Sequence, residues 1–253
     1  TMFLGPREAV EIQNRLGSDV AMVLDECPPY PCGREEAEKA VERTLLWAEM
    51  CLDSHERADQ AMFGIVQGSV YEDLRARCAE ELLAMEFDGY AIGGVSVGEE
   101  EELRHQMVEF TAPMLPEDKP RYLMGVGFPT DVLEAVGRGI DLFDCVAHTR
   151  MRRNATAFTP NGRLRMRNAA HREDPRPLQN GCECPACRLY SRAYISHLFR
   201  TEEMLGPILL SLHNLRFYME MMREAREAIT GGNFESYRAQ FLASYSRGED
   251  ASC

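Results

Sequence analysis

Short apolar runs and longer amphipathic stretches alternate along the first 146 residues. VAMVL (20–24), MFGIV (62–66), YAI (90–92), RYLM (121–124) and LFDCV (142–146) each have the length of a strand. Between them, 34–54, 71–85, 100–112 and 129–139 repeat apolar residues every three or four positions, the period of a helix with one buried face. Strand followed by helix, repeated, predicts parallel βα units, in a barrel or in an open doubly wound sheet. A closed barrel needs eight strands, so either this sheet is open or its first units lie outside the chain.

Beyond Asp144 the pattern changes. TPNG (159–162) between TAF and RLRM predicts a hairpin. Helices are expected at 188–200, at 202–229 with a break at Gly206–Pro207, and at 233–245. The chain therefore divides into a partial barrel, 1–147, and a second part, 148–253, with a basic segment, a cysteine cluster and helices.

Polar or glycine residues follow each predicted strand. They are Asp25 and Glu26, Gln67 and Gly68, Gly93 and Gly94, Met124 with Gly125 and Gly127, and Asp144 within the fifth run. The C-terminal ends of consecutive parallel strands are where a (β/α)8 barrel builds its active site. Five in succession point to a shared ligand face.

At 45% hydrophobic residues, 253 positions suffice to bury a core. No apolar run approaches the ~20 residues of a membrane span. The opening TMFLGPREAVEIQ lacks the basic and apolar regions of a signal peptide. It also lacks an initial Met, so the true N-terminus is expected further upstream. Nine cysteines, an odd number, fit a reducing cytoplasm better than a disulfide framework. The net charge is −13, yet the stretch between Asp144 and Glu173 holds seven arginines and no acid. Setting those seven aside leaves −20 on the remainder. A basic segment in an acidic chain is either a site for a polyanion or a loop that meets acidic neighbours.

Cys182, Cys184 and Cys187 form a C-x-C-x2-C knuckle. Three thiolates and one more ligand make a tetrahedral zinc site, with an iron–sulfur ligand set or coincidental buried thiols as the alternatives. His197, His213 and Cys253 are the candidates for the fourth position, and spacing favours His213. Four protein ligands leave no open position, so one such zinc is structural.

The chain resembles the bacterial tRNA-guanine transglycosylases, also called queuine tRNA-ribosyltransferases. The resemblance rests on LGSDVAMVLDECPPYP, FGIVQGSVYEDLR, DGYAIGGVSVGE, YLMGVGFPTDVLEAVGRGIDLFDCV, TRMRRNATAFT, CECPAC and HNL, in family order. It implies a (β/α)8 TIM barrel, α/β in class, with a zinc-binding insertion and C-terminal helices, and it selects His213 as fourth ligand. It implies exchange of guanine at the anticodon wobble position of tRNA for a 7-deazaguanine, in queuosine formation.

Roles follow from matched positions. Asp144 is expected to be the nucleophile that forms a covalent ribosyl intermediate. Asp25, Gln67, Gly94 and Met124 are expected to hold the base. Cys27 and Val97 match the bacterial pattern and predict the small aminomethyl base preQ1 over bulky queuine. Gly125, Val126, Gly127, Phe128, Pro129, Thr130 and Asp131 match one tRNA-contacting loop. Thr149, Arg150, Met151, Arg152 and Arg153 match another. A tRNA with a G-U-N anticodon is the expected partner, and family members are commonly homodimers.

The sequence departs from the pattern twice. The family's DSGGFQ segment, whose Asp serves as acid/base, precedes the stretch present here, and roughly three βα units of ~30 residues are expected with it. His148 stands where the family usually has Pro, which either loosens the turn near Asp144 or adds a phosphate contact. The alternatives to an enzyme are a non-catalytic tRNA-binding accessory subunit or an inactive fragment of the same family. A metal-dependent hydrolase would need histidines at the strand ends, and only His148 is there.

Overall fold

Five parallel strands lie side by side in the order of the chain: β1 (Val20–Met22), β2 (Ala61–Val66), β3 (Gly89–Ile92), β4 (Arg121–Leu123) and β5 (Leu142–Phe143). The computed structural model describes residues 4–250. Helices α2 (Arg34–Ser54), α3 (Glu72–Leu83), α4 (Glu101–Thr111) and α5 (Pro129–Gly137) connect successive strands, as the hydrophobic periods predict. The strand order never reverses. A doubly wound sheet reverses at its ligand-binding crevice, whereas a (β/α)8 barrel runs in sequence. The five units are therefore of barrel type.

The chain packs as two units. One comprises residues up to Val126 together with Glu134–Asp144; the other comprises Gly127–Leu133 and the chain from Cys145 onward. In the first, β2 and β3 are buried almost throughout, as parallel strands covered on both faces must be. Val41, Leu45, Leu74, Leu82, Met107 and Val108 bring the apolar stripes of α2, α3 and α4 into the same core.

Helix α1 (Pro6–Leu16) is absent from the predicted elements, although its end signals are present. Pro6 starts it, the Gly5 N–H donates to Glu8, and Gly17 closes it at φ 66°. Its Gln13 side chain accepts from Met22 N (2.8 Å) and donates to Met22 O (2.9 Å). One amide thus satisfies both backbone groups of Met22, which β1 turns away from β2.

The second unit holds α6 (Ala147–Arg150), the hairpin β6 (Thr156–Thr159) and β7 (Gly162–Arg165), then α7 (Pro185–Leu189), α8 (Arg192–Arg200), α9 (Leu205–Thr230) and α10 (Phe234–Asp250). The hairpin turns at Pro160–Asn161, as predicted. The expected break at Gly206–Pro207 is instead the start of α9. A proline in the first turn loses no helical hydrogen bond, so the helix runs on unbroken. The fifth apolar run ends early as a strand: from Ala147 the chain is already helical.

Candidate active site and metal centre

Each strand of the first unit delivers a functional group at its C-terminal end. Asp25 lies just past β1, half-buried. Gln67 follows β2 and is fully buried. Its Nε2 donates to Asp25 Oδ2 at 2.6 Å. Burial raises the Asp25 carboxyl above its ordinary value, and the bond from Gln67 only partly offsets this. Gln67 Oε1 has no partner among the described residues.

Gly93 and Gly94 follow β3. Gly94 has φ +65°, and a Cβ there would lie 2.5 Å from Gln67 Oε1. A Cβ on Gly93 would lie 2.7 Å from Gln67 Nε2. The glycine pair is required because the Gln67 amide lies directly over this backbone. In the next turn, Glu99 accepts from Ser96 N and Val97 N, fixing the loop that carries Val97. Val97 and Cys27 are exposed, and Met124 is half-buried against the core.

Asp144 follows β5. Its Oδ1 accepts from the Tyr122 hydroxyl (2.6 Å) and from Gly125 N (2.8 Å). Burial and the Asp144 carboxylate hold the Tyr122 phenol well above its ordinary range, so it stays protonated and donates. Both donors meet one oxygen, and Oδ2 keeps its lone pairs.

In the second unit, Cys182, Cys184, Cys187 and His213 converge, with one ligand atom of each within 4.8 Å of every other. The three sulfurs lie 3.8, 3.6 and 3.4 Å from His213 Nδ1. Bonds of about 2.0–2.3 Å in a tetrahedron put ligand atoms about 3.5 Å apart, so the four fit one metal ion. Hydrogen bonding between Cys184 and Cys187 lowers the Cys184 thiol and raises the Cys187 thiol, so the two sulfurs share a proton that a bound metal would displace. His213 Nε2 lies 2.8 Å from Phe158 O. A carbonyl only accepts, so the proton sits on Nε2 and Nδ1 faces the sulfurs. His197 is not in the cluster, and Cys253 lies outside the described residues.

The residues expected to meet tRNA are unequally placed. Phe128, Arg150 and Arg153 are exposed, whereas Val126, Gly127, Pro129 and Asp131 are buried. Gly125 is exposed, and Thr130, Thr149, Met151 and Arg152 are half-buried. Arg152 donates to Ser211 at 3.1 Å. His148 sits in the first turn of α6, where a proline's missing N–H costs nothing, so its replacement leaves the turn intact. Its ring packs edge-on against Tyr218, 5.8 Å between centroids. Asn214, fully buried beside His213, accepts from Phe158 N and donates to His148 O and Thr156 O.

Sequence reasoning did not single out Tyr122, Arg75, Glu99 or Asn214. A signal existed for Arg75, because it shares the buried stripe of α3 with Leu74, Cys78 and Leu82.

Sequential βα units with polar groups at the strand ends define a barrel-type α/β protein, and the second unit adds a Cys3His metal module. The chain belongs to the queuine tRNA-ribosyltransferase family, whose model matches residues 1–247. A queuine tRNA-ribosyltransferase of Symbiobacterium thermophilum is 52% identical over 250 residues, 98% of this chain and 62% of the relative. That of Desulforamulus reducens is 52% identical over 97% of this chain and 66% of its own length. That of Bacillus subtilis is 50% identical over 96% and 64%. The chain thus spans just under two thirds of these relatives. Among the described residues, no helix is long and apolar enough to cross a membrane.

Proposed function

We propose that the whole protein exchanges guanine at the wobble position of a G-U-N tRNA for preQ1, through a covalent ribosyl ester on Asp144. The setting of Asp144 carries this reading. Oδ1 is held by Tyr122 and Gly125, which aims Oδ2. Oδ2 attacks C1′ of the ribose, the C1′–N9 bond breaks, and its electron pair leaves with guanine, which takes a proton. The incoming base, losing its N9 proton, then attacks C1′ and expels the carboxylate. Two displacements retain configuration.

Asp25 accepts from N1–H and the exocyclic amine of the base. The second hydrogen on Gln67 Nε2 and the Gly94 N–H hold O6, and Met124 covers a face. Cys27 and Val97, on the loops after β1 and β3, match the bacterial pattern that goes with a small aminomethyl group, although the relatives' name refers to queuine. Exposed Arg150 and Arg153 suit phosphate contacts, whose loss with salt would be steep. Extruding a base is easiest from a single-stranded loop such as the anticodon. The Cys3His set suits one structural zinc. A homodimer in the cytoplasm rests on family resemblance alone.

The test is Asp144→Asn in the intact protein. The wild type should exchange base and form a denaturation-resistant protein–tRNA adduct. The variant should bind tRNA and do neither. Exchange that survives in the variant would exclude the covalent route. A wild type that binds tRNA without exchange would be an accessory subunit.

A further inference from the structure

Arg75 is fully buried on α3; the Glu99 carboxylate acts on its charge, but among the described residues no hydrogen bond or ion pair joins the two. Its partners are backbone carbonyls. Nε donates to Ser69 O (2.6 Å), and Nη2 donates to Gly93 O (3.1 Å) and Gly94 O (3.2 Å). Burial lowers its pKa to about 10, so it remains cationic at neutral pH. A buried guanidinium whose hydrogen bonds all go to carbonyls, with Nη1 left without a partner among the described residues, is costly, and apolar packing would fill the same space more cheaply.

The carbonyls it holds have particular partners within their own peptide units. In a trans peptide the C=O and the following N–H point in opposite directions. The Gly93 carbonyl and the Gly94 N–H belong to one such plane. With Gly93 O drawn toward Arg75, the Gly94 N–H must point away from it. A cation on the oxygen also withdraws electron density from the nitrogen, which strengthens that N–H as a donor, most of all at low dielectric.

We propose that Arg75 is a positioning residue that aims and polarises the Gly93–Gly94 peptide, making the Gly94 N–H a preorganised donor to the carbonyl oxygen of a purine lactam. This rests on the base-exchange reading above. As the C1′–N9 bond breaks, negative charge spreads over the departing base onto that oxygen, where a polarised donor stabilises it without reorganisation. Arg75 touches no reacting atom and acts only through the peptide.

The experiment measures equilibrium binding of guanine and of 6-thioguanine to the intact protein, as wild type, Arg75→Lys and Arg75→Met. Sulfur is a poorer acceptor than oxygen, while N1–H and the amine are kept. The wild type should prefer guanine, and Arg75→Met should reduce that preference about tenfold, the worth of one charge-assisted hydrogen bond. Arg75→Lys, which keeps the charge, should fall between. If Arg75→Met does not fold, Arg75→Gln carries the same comparison with a neutral donor. Equal weakening of both ligands, with the preference unchanged, would make Arg75 merely structural and overturn the proposal. A wild type that binds neither base would overturn the base-exchange reading, and this inference with it.

Discussion

The Tyr122 hydroxyl lies 2.6 Å from Asp144 Oδ1, bridging the ends of neighbouring strands β4 and β5. Removing it by Tyr122→Phe deletes one charge-assisted hydrogen bond of about 1.5–3 kcal/mol. Base exchange should slow by about 10–100-fold in kcat, with tRNA affinity unchanged. Single-turnover kinetics decide this, and an unaltered rate would remove Tyr122 from any role in aiming the carboxylate.

Asp25 costs stability at neutral pH. Its folded pKa is raised, so the native state binds protons more readily than the unfolded chain, and stability falls as pH rises through that raised value. Asp25→Asn should therefore raise Tm at pH 7, and the gain should shrink as pH drops toward the ordinary carboxylate value. The same change should weaken guanine binding, because it removes the negative charge and replaces one of two acceptor oxygens with an NH2 that only donates. Thermal melts across pH, paired with calorimetric binding, test both halves.

Zinc analysis should return one metal per chain, and Cys187→Ser or His213→Ala should bring it well below one. Chelation should lower Tm by about 10 °C or more, since binding energy at such a site is folding energy. A fully loaded His213→Ala variant would refute the ligand set.

Asn214→Ala removes three hydrogen bonds at once, two of them fully buried. Orphaning those groups should cost about 3 kcal/mol, roughly 6–12 °C in Tm for a chain of this size. A shift under 2 °C in calorimetry would show that water replaces the amide without penalty.

The sheet was legible because both periods are strong: α2 matches the expected 34–54, and β2 and β3 differ from expectation by one residue at their starts. Helix α1 was not, since only its caps marked it and its apolar face is short. The break in α9 was misplaced because a proline in the first turn and one that ends a helix look alike in sequence. The cysteine knuckle was plain from spacing, and its fourth ligand was narrowed to His213 by spacing and by the family resemblance before α9 showed it beside the sulfurs. Tyr122 and Arg75 act through a hydroxyl and a guanidinium placed by tertiary packing. In the sequence they are one polar residue among apolar strand positions and one arginine on an amphipathic helix.

The unreversed order of the strands also sets a schedule. A ribosome emits Asp25 first, then Gln67, the glycine pair, Tyr122, and Asp144 last. Each strand finds its partner in the unit made just before it, so only short loops close at each step and folding can follow synthesis. The surface that would recognise a base is laid down before the group that would react with its sugar exists. A chain halted near residue 140 would carry the first without the second.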